Sequence, residues 1–272
     1  MVIIEIITIL LFSLSLRCAA WASSRSSLGT WGLRTRGLRT CGVSASTQAT
    51  YEHSVYIEDT DAMGIMLNSE YPRQMERALN VTGGRVFAFQ TLKYRTPVEL
   101  GDHLRWSTAP GSKAGTFKVL CEREADEEIV CLASGVRAAP VLEEGCKIHD
   151  SSYSSAFVVH EDEYCPSSRL LHTRTIFNFF ERARTNVLGG GKHLKALMND
   201  ASVVVARVSN YSLLPHAVHS KEELIVHTQL DNMGVMSDFF QTICTKDGTP
   251  LAQATVTCLA LSQGGTPMPL EL

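Results

Sequence analysis

Several common signatures of catalysis and binding are missing from this sequence. It has no Gly-x-Ser-x-Gly, His-Glu-x-x-His or Cys-x-x-Cys segment, which excludes the α/β-hydrolase elbow and the usual zinc patterns. It also lacks an excess of positive charge, because the formal net charge is -3 and aromatic residues do not alternate with basic clusters. Nucleic-acid binding requires a basic surface, so that class is excluded. We predict no metal and no cofactor.

Acidic residues are absent from residues 21–51, a stretch rich in Ser, Thr, Gly and Arg. This composition is typical of organelle transit peptides. It follows an apolar run, residues 3–16, that is too short for a membrane span and ends in small residues suited to signal-peptidase cleavage. The combination resembles the bipartite leaders of plastid proteins. We therefore predict that residues 1–50 are an unfolded leader, that the protein is plastidial, and that the mature chain has no membrane span. A mitochondrial leader, secretion and an uncleaved anchor are the alternatives.

Six of the eight cysteines lie outside this leader, and none shows the spacing of a zinc site. Cys121, Cys131, Cys244 and Cys258 fall within apolar, strand-like runs. Buried free thiols are the simplest interpretation of such positions. The pattern favours a reducing compartment over a secreted disulfide framework.

A short motif occurs twice. Met75-Glu76-Arg77-Ala78 is repeated, with Phe for Met, as Phe180-Glu181-Arg182-Ala183, 105 residues later. Each copy follows one strand-like segment and precedes four more. The chain therefore predicts an α+β fold of two repeats, each a central helix wrapped by an antiparallel sheet, which is the hotdog arrangement. The predicted boundaries are residues 51–140 for the first repeat, 141–155 for a linker and 156–272 for the second.

The predicted strands show period-2 alternation or apolar runs between turn residues. In the first repeat they are residues 53–58, 85–94, 103–108, 116–122 and 129–137. In the second they are residues 156–163, 202–213, 223–230, 236–245 and 251–261.

The two predicted helices are short and apolar on one face. Tyr71, Met75 and Leu79 recur every four residues, and a similar stripe starts at Ile176 in the second repeat. Ser69 precedes the first helix and is a candidate N-cap.

Residues 59–65, Asp-Thr-Asp-Ala-Met-Gly-Ile, precede Tyr71 and the Glu-Arg-Ala motif. A block containing Tyr94, Pro97, Gly101 and Asp102 follows. Together these segments resemble the 4-hydroxybenzoyl-CoA thioesterase family and related bacterial acyl-CoA thioesterases, here as a tandem double hotdog. The resemblance implies hydrolysis of an acyl-CoA or acyl-carrier-protein thioester.

The resemblance also implies a catalytic site. The second Asp of the loop, Asp61, is the expected nucleophile or general base. The backbone N–H of Asn68 is expected to polarise the thioester carbonyl, with Leu67 and Gly64 as further oxyanion or substrate-binding residues. A carboxylate on a loop leading into a helix faces free N–H groups and the positive end of the helix dipole, which suit a developing oxyanion.

Some positions depart from the family pattern. The family often has His where this chain has Asn68, Asn where it has Glu70, and Gly where it has Met63. These changes affect the predicted substrate and pocket shape. In the second repeat, the offset of 105 residues places Pro166 at the position of Asp61. We therefore predict a degenerate second repeat that lines one wall of a single site near residues 171–174.

Other assignments remain open from sequence alone. Glu76 and Glu181 are possible secondary acids, because another group of hotdog thioesterases places its catalytic acid on this helix. A non-catalytic binding or scaffold protein is the main alternative. A hotdog dehydratase using His172 is a further one. The expected assembly is a monomer acting as an internal pseudo-dimer, or a higher homo-oligomer.

Overall fold

The computed structural model describes residues 49–61, 63–80, 88–137, 153–197, 201–231, 234–262 and 264–269. The predicted leader lies outside this part of the chain, except that Ala49 and Thr50 already belong to the first strand. Most of the predicted linker is also outside it, whereas residues 153–155 lie in a strand. The plastid location therefore stays a prediction. Within the described ranges, no helix is long and apolar enough to cross a membrane.

The described residues form ten strands and three α-helices. The strands of the first half are β1 (Ala49–Ser54), β2 (Ala88–Tyr94), β3 (His103–Pro110), β4 (Thr116–Arg123) and β5 (Glu128–Val136). Those of the second half are β6 (Tyr153–Val158), β7 (Ala201–Leu213), β8 (Glu223–Asp231), β9 (Met236–Thr245) and β10 (Pro250–Ser262). The helices are α1 (Glu70–Asn80), α2 (Thr173–Val187) and α3 (Gly190–Leu197).

All ten strands belong to one antiparallel sheet, in which the same strand order occurs twice. From the edge inward, the order is β1-β3-β4-β5-β2 in the first half and β6-β8-β9-β10-β7 in the second. The halves join where β2 pairs antiparallel with β7. In each half the long helix follows the edge strand in sequence. The predicted α+β fold, with two repeats that each carry one central helix, is confirmed.

The junction between the halves is aromatic. Phe89 on β2 pairs in register with Tyr211 on β7, and their rings stack with centroids 4.6 Å apart. Phe177 of α2 lies over both rings, with centroids 5.4 Å from Tyr211 and 6.1 Å from Phe89. Large buried aromatic side chains contribute strongly to core stability. This cluster therefore joins the two repeats.

The apolar helix stripes predicted from sequence are the buried faces. Met75 and Leu79 of α1 and Ile176 and Phe180 of α2 are fully buried against the sheet. The four cysteines predicted to be buried free thiols are also buried, and none of them forms a disulfide within the described part of the chain: Cys121, Cys131, Cys244 and Cys258. The core of both repeats thus agrees with the sequence pattern.

The first strand of each repeat was placed too late by the sequence pattern. β1 ends at Ser54 and β6 at Val158, and each is followed by a 3-10 turn. In the first turn, an Asp59 carboxylate oxygen accepts the Tyr56 N–H at 3.0 Å. Acidic side chains that capture a nearby backbone N–H compete with strand pairing. These residues therefore form turns although their apolar pattern resembles a strand.

The prediction that Ser69 caps α1 is wrong. The helix begins at Glu70, and the buried Ser69 hydroxyl has no hydrogen-bond partner among the described residues. Instead, the Glu70 N–H donates to the Leu67 carbonyl at 3.0 Å, which closes a backbone turn before the helix. The α1 terminus is therefore organised by backbone bonds.

Candidate active site

The loop between β1 and α1 forms a small hairpin. Thr60 and Met66 pair as an antiparallel bridge, and the Asp61 N–H donates to the Ile65 carbonyl at 2.8 Å. Gly64 closes the tip with a φ of 76°, a conformation that glycine adopts without steric cost. The hairpin delivers the chain to α1 in a fixed direction.

Asp61 is held by its own turn. Its Oδ1 accepts the Met63 N–H at 2.8 Å and the Ile65 N–H at 3.0 Å. The residue is half-buried, and its Oδ2 makes no hydrogen bond to any described residue. The carboxylate is therefore anchored in the turn through Oδ1.

The three residues expected to bind the oxyanion differ in whether their N–H groups are already used within the loop. The Gly64 N–H donates to the Asp61 carbonyl at 3.0 Å and the Leu67 N–H to the Asp59 carbonyl at 2.8 Å, so both are engaged in the loop. Among the described residues, no backbone carbonyl accepts a hydrogen bond from the Asn68 N–H. Of the three residues expected to bind the oxyanion, only Asn68 thus retains a free backbone donor. Gly64 and Leu67 can only line the site.

Tyr94 fixes the carbonyl side of Asn68. Its hydroxyl donates to the Asn68 carbonyl oxygen at 3.1 Å. Burial raises the pKa of Tyr94 well above its usual value, and the neighbouring Cys131 and Tyr71 raise it further. Tyr94 therefore remains protonated and keeps this hydrogen bond at physiological pH.

A buried histidine–aspartate pair lies beside the loop and was not predicted. His53 Nε2 of β1 lies 2.9 Å from the Asp59 Oδ2, the same oxygen that accepts the Tyr56 N–H. Asp59 is only 2% exposed. Buried carboxylates are costly unless paired, and Asp59 has these two donors at Oδ2 and Arg73 Nη1 at 4.0 Å from Oδ1. We interpret this pair as support for the loop.

A second buried acid, Glu70, begins α1. Its Oε2 lies 2.9 Å from Arg73 Nη1, and its Oε1 lies 2.6 Å from Nε of Arg174, which belongs to α2 of the second repeat. The Arg174 Nη2 also donates to the Glu58 carbonyl at 3.3 Å. The second repeat thus supplies a cation to the surroundings of the Asp61 loop.

The two helix glutamates differ in their surroundings. Glu76 accepts a hydrogen bond from the Thr173 hydroxyl of α2, so it faces the second repeat. Burial raises the pKa of the nearby Tyr211, and the charge of Glu76 raises it further. Glu181 is half-buried on α2. The role of Glu76 and Glu181 as secondary acids therefore stays a prediction.

The corresponding loop of the second repeat contains one more residue than the first. The Cys165 N–H donates to the Leu170 carbonyl at 2.9 Å, as the Asp61 N–H does to Ile65. Cys165, and not Pro166, is therefore the structural counterpart of Asp61. The sequence offset, taken from the helices, missed the extra loop residue. The conclusion that this position lacks a carboxylate is unchanged.

The remaining candidates do not assemble a second centre. His172 is exposed, and its N–H donates to the Glu163 carbonyl. Over the described ranges, no three His, Cys, Asp or Glu side chains are placed to hold a metal ion. One open depression, of about 530 Å³, is lined by Arg95 and Glu128. Another, of about 430 Å³, is lined by His216 and Asp247. These residues are far in sequence from the Asp61 loop.

Comparison with known proteins gives matches in structure only. No protein-family profile and no curated protein sequence matches the chain. A proposed oleoyl thioesterase from Lactobacillus plantarum superposes with a TM-score of 0.59 at 9% identity, covering 80% of this chain and 98% of that one. The 12:0-ACP thioesterase from Umbellularia californica gives 0.55 at 9% identity, covering 78% and 93%.

Dehydratases share the same architecture. The dehydratase domain of the polyketide protein PpsC from Mycobacterium tuberculosis gives a TM-score of 0.54 at 13% identity, covering 81% of this chain and 97% of that domain. The fold is a double hotdog. At such low identity these similarities establish the fold alone, and both thioesterases and dehydratases use it.

Proposed function

We propose that this double hotdog is a thioester hydrolase acting on an acyl-CoA or an acyl-carrier-protein thioester. The observation that carries the proposal is the combination of an anchored Asp61 carboxylate with an unpartnered Asn68 N–H at the start of α1. A carboxylate and a preorganised backbone donor are the two groups that thioester hydrolysis needs. The chemistry of the structural neighbours is compatible with this proposal.

The reaction can follow either of two routes. In one, the Asp61 Oδ2 attacks the thioester carbon, the C–S bond breaks to release the thiol, and water hydrolyses the resulting anhydride. In the other, Asp61 removes a proton from a water molecule that attacks the same carbon. In both, the Asn68 N–H donates to the oxyanion. Repeated turnovers in H₂¹⁸O test for the first route. When water attacks the Asp61 carbonyl of the anhydride, the label accumulates in the Asp61 carboxylate, whereas the second route places it only in the released acid.

The test is thiol release from a panel of aliphatic and aromatic acyl-CoAs and acyl-carrier-protein thioesters by the purified chain. We expect catalysed hydrolysis of at least one of them. Binding without hydrolysis across the whole panel would support a non-catalytic hotdog protein. In that case Asp61 would serve only its own turn.

The dehydratase alternative has less support. The histidine that dehydration would use, His172, is exposed at the N-terminus of α2 and pairs with no acid among the described residues. The buried histidine, His53, is already paired with Asp59. Hydration of an enoyl thioester in the same panel would revive this alternative.

A further inference from the structure

One side chain of the second repeat contacts both sides of the loop that carries Asp61. The Arg174 guanidinium donates from Nη2 to the Glu58 carbonyl at 3.3 Å, before the hairpin. Its Nε lies 2.6 Å from the Glu70 Oε1, after the hairpin, in an ion pair whose N–H is not aligned for a hydrogen bond. Arg174 therefore bridges the two ends of the segment from Glu58 to the first residue of α1.

The partner of Arg174 is deeply buried. Glu70 has no exposed surface, and its other oxygen is bound by Arg73 at 2.9 Å. A buried carboxylate is tolerated only when paired, so Glu70 constrains both arginines. Glu70 is also only two residues from Asn68, the proposed oxyanion donor. Displacement of Glu70 would thus displace that N–H.

We infer that Arg174 is a positioning residue, supplied by the second repeat, for the site in the first. This inference rests on the proposed thioesterase function. Arg174 holds the Asp61 hairpin and the N-terminus of α1 in one relative placement, so that the carboxylate and the Asn68 N–H address the same carbonyl. A planar guanidinium can bridge a carbonyl and a carboxylate at once, whereas a lysine ammonium is a single point of charge.

The experiment compares Arg174→Lys and Arg174→Gln with Arg182→Gln in the full chain. Arg182 is the matched control, because it is exposed on the same helix and lies over the Phe179 ring. We expect both Arg174 variants to lower kcat by about 10- to 100-fold with little change in KM, since small misplacements of reacting groups have effects of this size. Arg182→Gln should retain the wild-type kcat.

Arg174→Lys keeps the charge beside Glu70, so it remains informative if Arg174→Gln does not fold. A wild-type kcat in Arg174→Lys, or an effect confined to KM, would overturn the inference. The second result would indicate that Arg174 binds substrate directly.

Amide hydrogen exchange provides a readout that does not depend on activity. Peptides covering residues 57–69 should exchange faster in Arg174→Lys than in Arg182→Gln, because the bridge across the hairpin is lost. If the wild-type chain hydrolyses no thioester, the proposed function fails, but faster exchange still supports the bridge. Unchanged exchange in this segment would refute the positioning role whatever the activity.

Discussion

Asp61 and Cys165 occupy equivalent places in the two repeats. Each begins a tight turn in which its side chain hydrogen-bonds to residues that follow it: Met63 and Ile65 in the first repeat, Ser167 and Ser168 in the second. The turn is thus formed with either a carboxylate or a sulfur as the acceptor. A carboxylate at Asp61 is therefore not required by the local backbone, which is consistent with a chemical role.

We expect Cys165 to be a reactive thiol because of the groups around it. Hydrogen bonds from the Ser167 and Ser168 side chains, supported by their backbone N–H groups, lower its pKa from 9 to about 6. We expect iodoacetamide to modify Cys165 with a pH midpoint near 6, while buried Cys121 and Cys131 react only after unfolding. Peptide mass spectrometry across a pH series measures this.

Ser167→Ala is the control for that titration, and it should move the midpoint upward.

The same pKa shift affects folding stability. Because the pKa of Cys165 in the folded state lies below that in the unfolded state, the thiolate stabilises the fold above pH 9, and this contribution disappears as the pH falls through about 6. A midpoint near the ordinary thiol value in the wild-type chain would show that these hydrogen bonds do not form.

At the scale of elements, the pair of central strands determines whether the repeats behave as one unit. Phe89 of β2 is 1% exposed and contacts Tyr211 of β7 and Phe177 of α2. We expect Phe89→Ala to lower the free energy of unfolding by about 3–5 kcal/mol, as is usual for a large aromatic removed from a core. Urea unfolding followed by circular dichroism measures the loss.

Ile129→Ala on β5 is the comparison, because Ile129 is 37% exposed and should cost less than about 1 kcal/mol. The wild-type chain should unfold in one transition, since Phe89 packs against both halves. Two separate transitions, or a Phe89→Ala effect no larger than that of Ile129→Ala, would contradict the assigned junction.

Most strands could be predicted because glycine-, proline- and lysine-rich turns separate apolar runs. The strands other than β1 and β6 agree with the predicted bounds to within two residues at each end that the structure describes, and residues 85–87 of the predicted second strand lie outside the described residues. β1 and β6 were misplaced because an acid captures a backbone N–H and converts apparent strand into a turn. The buried cluster of His53, Asp59 and Glu70 left no local pattern, since its members come from a strand, a loop and a helix.

The counterpart of Asp61 could not be identified from the repeat motif. The helix motifs are 105 residues apart, but Asp61 and Cys165 are 104 apart, because the second loop gains one residue after Cys165. An offset measured between the two helices does not show where an extra residue lies in the loop before the second helix. The catalytic assignment of Asp61 rests on a family resemblance and stays a prediction.

Across the whole molecule, the two halves share a backbone arrangement but differ in the residue at the loop position. Both halves have the same strand order, but only the first has an acid at the loop position. We expect a non-hydrolysable thioester analogue, titrated by isothermal calorimetry, to bind with a stoichiometry near one per chain. The first repeat provides the Asp61 loop. From the second repeat, Thr173 donates to Glu76 of α1 and Arg174 donates to the Glu58 carbonyl, which precedes the loop.

Cys165→Asp tests the origin of that asymmetry, because it restores an acid in the second loop. The stoichiometry should remain near one if the surroundings of the second loop have also diverged. Two equal sites in the wild-type chain would show that the second repeat is not degenerate.

The most direct test of the proposed hydrolase is Asp61→Asn in the full chain. The asparagine carbonyl oxygen can still accept the Met63 and Ile65 N–H groups, so the turn and the free energy of unfolding should be preserved. We predict that kcat for the best thioester falls by about 10²–10⁴-fold, the usual contribution of a general base, or by more if Asp61 is the nucleophile. Glu99→Gln, an exposed acid paired with the same hairpin, should keep the wild-type rate. An Asp61→Asn protein that retains more than about a tenth of the wild-type kcat would contradict the assignment, because a catalytic base contributes far more than that.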